Sequence, residues 1–337
     1  MIKKLGKEIV IVMGYPCAGK STLVKEYVSQ GYVRLNRDDE ESSLAKLHAK
    51  LEDLIKEGAN TQFVLDNTYG KKTQREPLIT IAKNYKFKIT CVWLKTRIED
   101  AQFNSSWRIL EEFGLNIAAP HELLGPEGSK RFQSANHVPV IALFAYKKSF
   151  EPPTKEEGFD SIEKVDFERK FKRDFTNKAI FLDYDGTLRE LAGTLKYPTD
   201  PTEVKLLPNR KEILKKWQDD GYLLIGVSNQ SGVEKGKITE VAANQCFEKT
   251  NDLLGLDIDY EYCPHHSFPI RCYCRKPLPG LAVHFIRKHK LNPAKCIMVG
   301  DSTSDATFAK RSGMQFQWAD DFFKDPQITE KTMEKQS

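Results

Sequence analysis

Short apolar runs that read as strands alternate with amphipathic stretches that read as helices along most of the chain. "EIVIVMG" leads into "GKSTLVKEYVSQ", "TQFVLDNT" into "REPLITIAKNY", and "KFKITCVWLK" into a helix beginning near Ile98. This is the βαβ rhythm of a parallel sheet covered by helices on both faces. The rhythm lapses, then restarts at "AIFLDYDG", continues through "NRKEILKKWQDDG" and "YLLIGVSNQSG", and closes with "LAVHFIRKHK" before "CIMVGDSTSDA". Two α/β domains in series follow, bounded at 1–168 and 175–322, with 323–337 as a polar tail expected to be disordered. The linker is "DFERKFKRDFTNK", dense in charge and without apolar periodicity. "FGLNIAAPHELLGPEGSKRFQSANHVP" is long and carries several Gly and Pro residues, as expected of a lid inserted in the first domain.

A length of 337 residues with 40% hydrophobic and 29% charged residues suffices for two ordinary cores. The formal net charge of +5 allows phosphate-rich partners and excludes a histone-like binder. No apolar run reaches the roughly 18 residues that a membrane span requires, and "MIKKLGKEIVIVMG" lacks the form of a secretion signal. A cytoplasmic protein is therefore expected. Three of the seven cysteines gather between 263 and 274 beside histidines, which in a reducing compartment points to metal rather than disulfides.

Gly14, Tyr15, Pro16, Cys17, Ala18, Gly19, Lys20 and Ser21 fit the G-x-x-x-x-G-K-[ST] pattern, with Thr22 following, after a strand and at the opening of a helix. Main-chain amides there can cradle the phosphates of ATP, Lys20 can reach the outer phosphates, and the Ser21 hydroxyl can ligate Mg²⁺. A second strand, "YVRL", delivers Asp38 and Asp39 to its carboxyl end, where open α/β sheets bind ligands. Two roles fit these carboxylates: accepting the proton of an attacking hydroxyl, or capping the next helix. Asp66, ending a third strand, has the same pair of readings, with metal binding through water as the functional one.

The order "GYPCAGKST", "YVRLNRDD", "VLDNT", "AQFNSSWR", "HVPV" and "AYKKSFEPPTKEEGFDSI" resembles the kinase domain of polynucleotide kinase-phosphatases over residues 8 to 167. The resemblance implies that Asp38 is the base that activates a 5′-hydroxyl and that Arg108 acts in the lid. It also exposes two departures. Cys17 stands where the family commonly has glycine, either as a small residue that fits or as a thiol whose modification would block the kinase. Ser106 stands where a second lid arginine is usual, and Lys130 or Arg131 are candidates to supply the charge.

In the second domain, "FLDYDGT" places Asp183 and Asp185 two apart on one strand face. One carboxylate, Asp183, can attack phosphorus, and the other, Asp185, can protonate the leaving oxygen and then activate water. Such chemistry needs a hydroxyl residue, a lysine and further carboxylates. Ser228, Lys276, Asp301 and Asp305 supply them in order. The set resembles the haloacid dehalogenase phosphatases over residues 176 to 320. By that resemblance Asp183, Asp301 and the main-chain carbonyl of Asp185 hold Mg²⁺, and Asp305 orients the site. The intervals between these motifs leave no room for a large cap, so the site should be open to a polymer end or to a small phosphate ester.

The C-x-H and C-x-C pairs of "CPHHSFPIRCYCRKP" can close around one structural Zn²⁺ through Cys263, His265, Cys272 and Cys274. Unligated thiols or a disulfide are the alternatives. The similar loop of histidinol-phosphate and heptose-bisphosphate phosphatases selects His265 over His266. The fold expected is thus a P-loop kinase sheet followed by a Rossmann-like phosphatase. Three functions fit it: an enzyme that phosphorylates 5′-hydroxyl ends and removes 3′-phosphates of RNA or DNA before a ligase, a fusion acting on small metabolites, or a non-catalytic scaffold. The extent of the kinase resemblance favours the first.

Overall fold

The computed structural model describes residues 6–39, 43–113, 120–126, 137–193 and 196–324. The chain divides into two compact units, 1–104 with 141–169, and 105–140 with 170–337. The break between Arg169 and Lys170 falls inside the charged linker expected from sequence. The lid segment behaves differently from expectation: residues 105–140 group with the second unit rather than the first.

In chain order the first half contains β1 (Glu8–Met13), α1 (Lys20–Ser29), β2 (Val33–Leu35), α2 (Leu44–Glu57), β3 (Gln62–Asp66), α3 (Lys72–Asn84), β4 (Lys88–Leu94), α4 (Ile98–Phe113), α5 (Pro120–Leu124), α6 (Val140–Ser149) and β5 (Ser161–Val165). The five strands form a parallel sheet in the order β2-β3-β1-β4-β5. Because β1 lies at the centre, both of its faces are buried, which is why "IVIVM" is an unbroken apolar run. Ile9, Ile11 and Met13 pack with Leu47, Leu51 and Leu78, whereas Val10 and Val12 pack on the other face with Val24.

The "KKSFEPPTKEEGF" segment has a structural reason for its charges. Arg75 is fully buried and pairs through Nε and Nη2 with both Glu157 oxygens at 2.8 Å, while Nη1 donates to the carbonyls of Tyr69 and Glu151 at 3.0 Å. Removing one partner of such a buried pair costs about 3–5 kcal/mol.

The second unit adds β6 (Ala179–Leu182), α7 (Arg210–Asp219), β7 (Leu223–Asn229), α8 (Glu240–Leu254), β8 (Ile258–Cys263), α9 (Gly280–His289), β9 (Ile297–Gly300), α10 (Thr303–Ser312), β10 (Gln315–Trp318) and α11 (Ala319–Phe322). Its strands form a parallel sheet in the order β10-β9-β6-β7-β8. The buried Trp217 of α7 stacks on Phe322 at a centroid distance of 5.7 Å, so α11 is locked to the core. Phe323, placed in the tail by sequence, is also buried in this core; residues 325–337 lie outside the described residues. Among the described residues no large cap interrupts the unit.

Two candidate active sites

The phosphate loop crosses from β1 to α1 at the middle of the first sheet. Gly14 has φ +153°, and a Cβ there would press on the Leu94 carbonyl and side chain, so the close crossing requires glycine. Lys20 is buried, and its ammonium donates to the carbonyls of Gly14 at 3.2 Å and Tyr15 at 2.7 Å. Ser21 and Thr22 are exposed on the first turn of α1, with the loop amides beside them. The Thr96 hydroxyl donates to the Ala18 carbonyl at 2.9 Å and the Asn104 amide to the Cys17 carbonyl at 2.9 Å, so the loop is tied from outside. Cys17 is buried and sits at φ +60°, the left-handed region that favours glycine, which accounts for glycine being common there.

The capping readings of the first-domain aspartates do not hold. Ser43 caps α2, accepting from the Lys46 N–H, and Lys71 occupies the cap of α3. Asp38 is instead exposed beside Arg37, at 3.2 Å. Asn36 fixes the turn that presents it: its Oδ1 accepts from the Asp38 N–H at 2.7 Å, and its Nδ2 donates to the Asp66 carbonyl at 2.7 Å. The Asp66 carboxylate is buried and receives Arg34 at 2.8 Å, while Asp39 pairs with the same guanidinium at 2.6 Å. Asp66 stands opposite Val12 in the register of β1 and β3, two residues before Gly14. Asn36 and Arg34 were not singled out by sequence. Arg108 and Ser106 belong to the other compact unit, and Lys130 and Arg131 lie outside the described residues.

In the second unit, Asp183 follows the central strand β6, and one oxygen from each of Asp183, Asp301 and Asp305 lies within 4.8 Å of the others. Lys276 neutralises part of this charge, with Nζ 2.8 Å from Asp183 Oδ1, 2.7 Å from Asp305 Oδ1 and 2.8 Å from the Val227 carbonyl. Burial pulls the Lys276 ammonium down, but Asp183 and Asp305 outweigh it and hold it above its ordinary value. Burial pushes the Asp183 carboxyl up against the attraction of Lys276, and it pushes Asp301 up as well.

Three gathered carboxylates fit a hard divalent cation such as Mg²⁺, which would supply the positive charge that a phosphate dianion needs beside Asp183. Gly186 has φ +83°, and any Cβ there would run into the Asp301 carboxylate. The Ser302 hydroxyl donates to Asp305 Oδ2 at 2.6 Å, fixing that side chain at the start of α10. The Asp185 charge also raises Asp183 and Asp301, but its hydrogen bonds lie elsewhere. Its oxygens receive Arg189 and Gln230, two residues that sequence did not single out. Ser228 is buried with its Oγ 3.1 Å from Gln230 Nε2.

The structure brings Cys263, His265, Cys272 and Cys274 together, and His266 stays outside the group. Cys263 Sγ lies 3.7 Å from Cys272 Sγ and 3.4 Å from His265 Nδ1, which is 3.2 Å from Cys274 Sγ. At that separation Cys263 and Cys272 are not joined by a disulfide, and Cys274 is likewise a free thiol. Tetrahedral bonds of about 2.3 Å to sulfur and about 2.0 Å to nitrogen place the ligand atoms roughly 3.4–3.8 Å apart, so the group fits zinc. Asn229, at the end of β7, ties down the backbone of Lys276, donating to its carbonyl at 3.0 Å and accepting from its N–H at 2.9 Å.

Residues 9–108 match a family described as an AAA domain, and residues 178–323 match the family described as Polynucleotide kinase 3 phosphatase. The Bifunctional polynucleotide phosphatase/kinase of Schizosaccharomyces pombe is 32% identical over 162 residues, 48% of this chain and 34% of that protein. In one chain, therefore, a match to the AAA-domain family precedes a match to the Polynucleotide kinase 3 phosphatase family. The D-glycero-beta-D-manno-heptose-1,7-bisphosphate 7-phosphatase of Haemophilus influenzae is 37% identical over 138 residues, 38% of this chain and 73% of that protein. A chain in the Pnkp1/Rnl/Hen1 RNA repair complex aligns over 94% of this chain and 97% of its own length at 17% identity. Its TM-score is 0.30, too low to carry weight.

Proposed function

We propose that the chain heals nucleic-acid ends: an ATP-dependent kinase phosphorylates 5′-hydroxyl ends, and a Mg²⁺-dependent phosphatase removes 3′-phosphates through an aspartyl-phosphate on Asp183. The observation that carries this reading is the pairing, in one chain, of a phosphate loop with an aspartate cluster at the ends of two parallel sheets. Phosphate addition and removal then act on opposite sides of one break and leave ends that a ligase can join. The matched spans 9–108 and 178–323 lie in series, in keeping with domains at 1–168 and 175–322 apart from the segment 105–140.

In the first site Gly14 to Thr22 would bind the ATP phosphates, Lys20 would meet the transferring group, Ser21 would hold Mg²⁺, and Asp38 would take the hydroxyl proton. In the second, Asp183 is the nucleophile and Asp185 the acid and base. Ser228 and Lys276 hold phosphate oxygens, and Asp183, Asp301, Asp305 and the Asp185 carbonyl serve Mg²⁺. A structural Zn²⁺ on Cys263, His265, Cys272 and Cys274 would stiffen the loop that presents Lys276. The proposed setting is the cytoplasm. No helix among the described residues is long and apolar enough to cross a membrane.

A second reading is favoured by the heptose-bisphosphate phosphatase relative: the second unit would act on a small sugar phosphate. Ionic strength separates the two. Capture of a polymer weakens steeply with salt, whereas a metabolite site responds little. A salt-insensitive KM for 3′-phosphorylated oligonucleotides would sink the polymer reading.

A further inference from the structure

Both carboxylate oxygens of Asp185 are held from the protein side. Arg189 Nε donates to Oδ1 at 2.8 Å, and Gln230 Nε2 donates to Oδ2 at 2.7 Å. Neither donor is a surface residue, with Arg189 1% and Gln230 2% exposed. The guanidinium is fixed in turn, since Nη1 donates to the Cys246 carbonyl at 2.9 Å and lies 3.1 Å from Thr250 Oγ1 on α8. It also lies over the Phe247 ring at 4.8 Å and the Tyr184 ring at 5.3 Å. The Gln230 N–H donates to the Cys263 carbonyl at 2.7 Å, which anchors the amide from β8.

Burying an arginine is costly, and neutralising a partly exposed carboxylate would not require it. What this arrangement adds is direction: one donor on each oxygen fixes the plane of the carboxylate and leaves rotation about its bonds closed. We propose that Arg189 and Gln230 are positioning residues that set the angle at which Asp185 delivers a proton to the leaving oxygen and later takes one from water.

The proposal rests on the reading of the second unit as a phosphatase acting through Asp183. In the first half-reaction an Asp183 oxygen bonds to phosphorus, the bond from phosphorus to the leaving oxygen breaks, and that oxygen takes the proton of Asp185. In the second, water bonds to phosphorus and gives a proton to Asp185. The bond from phosphorus to Asp183 breaks, releasing inorganic phosphate and the Asp183 carboxylate. A good leaving group such as p-nitrophenolate needs no proton in the first half, but every substrate needs Asp185 in the second.

The test compares Arg189→Met, Arg189→Lys and Gln230→Met with wild type on p-nitrophenyl phosphate and a 3′-phosphorylated oligonucleotide. With the oligonucleotide, kcat should fall about 10²-fold in the two methionine variants with little change in KM. With p-nitrophenyl phosphate the same variants should show a burst of nitrophenolate equal to the enzyme present, then slow turnover, with a phosphoryl adduct on the protein by mass. Arg189→Lys, keeping a cationic donor, should recover part of kcat. Equal losses on both substrates without a burst, or losses confined to KM, would overturn the proposal. Should Arg189→Met fail to fold by circular dichroism, Gln230→Met decides. If Asp183→Asn still turns over p-nitrophenyl phosphate, the phosphatase reading itself has failed, and the proposal falls with it.

Discussion

Lys276 meets Asp183 inside the second unit at 2.8 Å, with both side chains nearly removed from solvent. The same ammonium also reaches Asp305, so it is the counter-charge that lets two carboxylates share one small space. Replacing it by methionine should therefore abolish phosphatase activity and cost about 3–5 kcal/mol of stability in metal-free protein. Denaturant titration checks this; an unchanged midpoint would mean that the lysine is not what balances the pair.

The two chemistries should separate cleanly. Lys20→Ala or Asp38→Asn should stop 5′-phosphorylation alone, and Asp183→Asn should stop dephosphorylation alone, each by at least about 10²-fold. Loss of both activities in a folded single variant would show that the sites are not independent.

Metal analysis of purified protein should find one zinc per chain. Cys272→Ser should lose it and lower both the melting temperature and the phosphatase rate. Burial pushes the Cys263 and Cys274 thiols up, while hydrogen bonds from these two lower Cys272, so zinc must displace protons from the buried group. Zinc uptake should thus weaken as pH falls. Protein without zinc that melts at the wild-type temperature would remove the metal from the proposal.

Cys17 adopts a backbone conformation that favours glycine, so Cys17→Gly should retain kinase activity and gain up to about 1 kcal/mol. The burial of the thiol further predicts slow alkylation in the folded state. Rapid alkylation with loss of kinase activity would instead favour the reactive-thiol reading.

His284 on α9 is buried, and its Nδ1 has no hydrogen-bond partner among the described residues. Burial lowers it to about 4 from an ordinary 6.5, with Lys288 and His289 lowering it further and Asp259 opposing them. The folded state therefore binds fewer protons than the unfolded state between these values. The associated stability is present above pH 6.5 and lost as pH falls toward 4, by roughly 3 kcal/mol. His284→Gln should flatten that part of the stability profile; an identical profile would place the imidazole in solvent.

How much of this was legible in sequence follows from how local each feature is. The strands β1, β3, β4, β6, β7 and β9 announced themselves because central parallel strands are apolar on both faces. β5, reading "SIEKV", lies at a sheet edge with two exposed charges, and β10, "QFQW", is another edge strand; neither carries the central signal. Asp183 and Asp185 were readable from their D-x-D-G-T pattern, but the shared strand face expected of them fails: β6 ends at Leu182, and past it only Asp183 joins Asp301 and Asp305. Arg189 and Gln230 were not, since their tie to Asp185 depends on how α8 and the end of β8 approach β6. The lid segment misled because chain order placed it with the first domain, whereas residues 105–140 group with the second unit. Rejecting the capping role of Asp38 required seeing Ser43 in the capping position.

One incubation bears on the whole scheme: an oligonucleotide with a 5′-hydroxyl and a 3′-phosphate, given ATP and Mg²⁺, with each terminus resolved by mass. A 5′ end that gains a phosphoryl group and a 3′ end that loses one, on the same strand, is the expected result. Unaltered termini, from protein that phosphorylates or dephosphorylates only small metabolites under the same conditions, would contradict it.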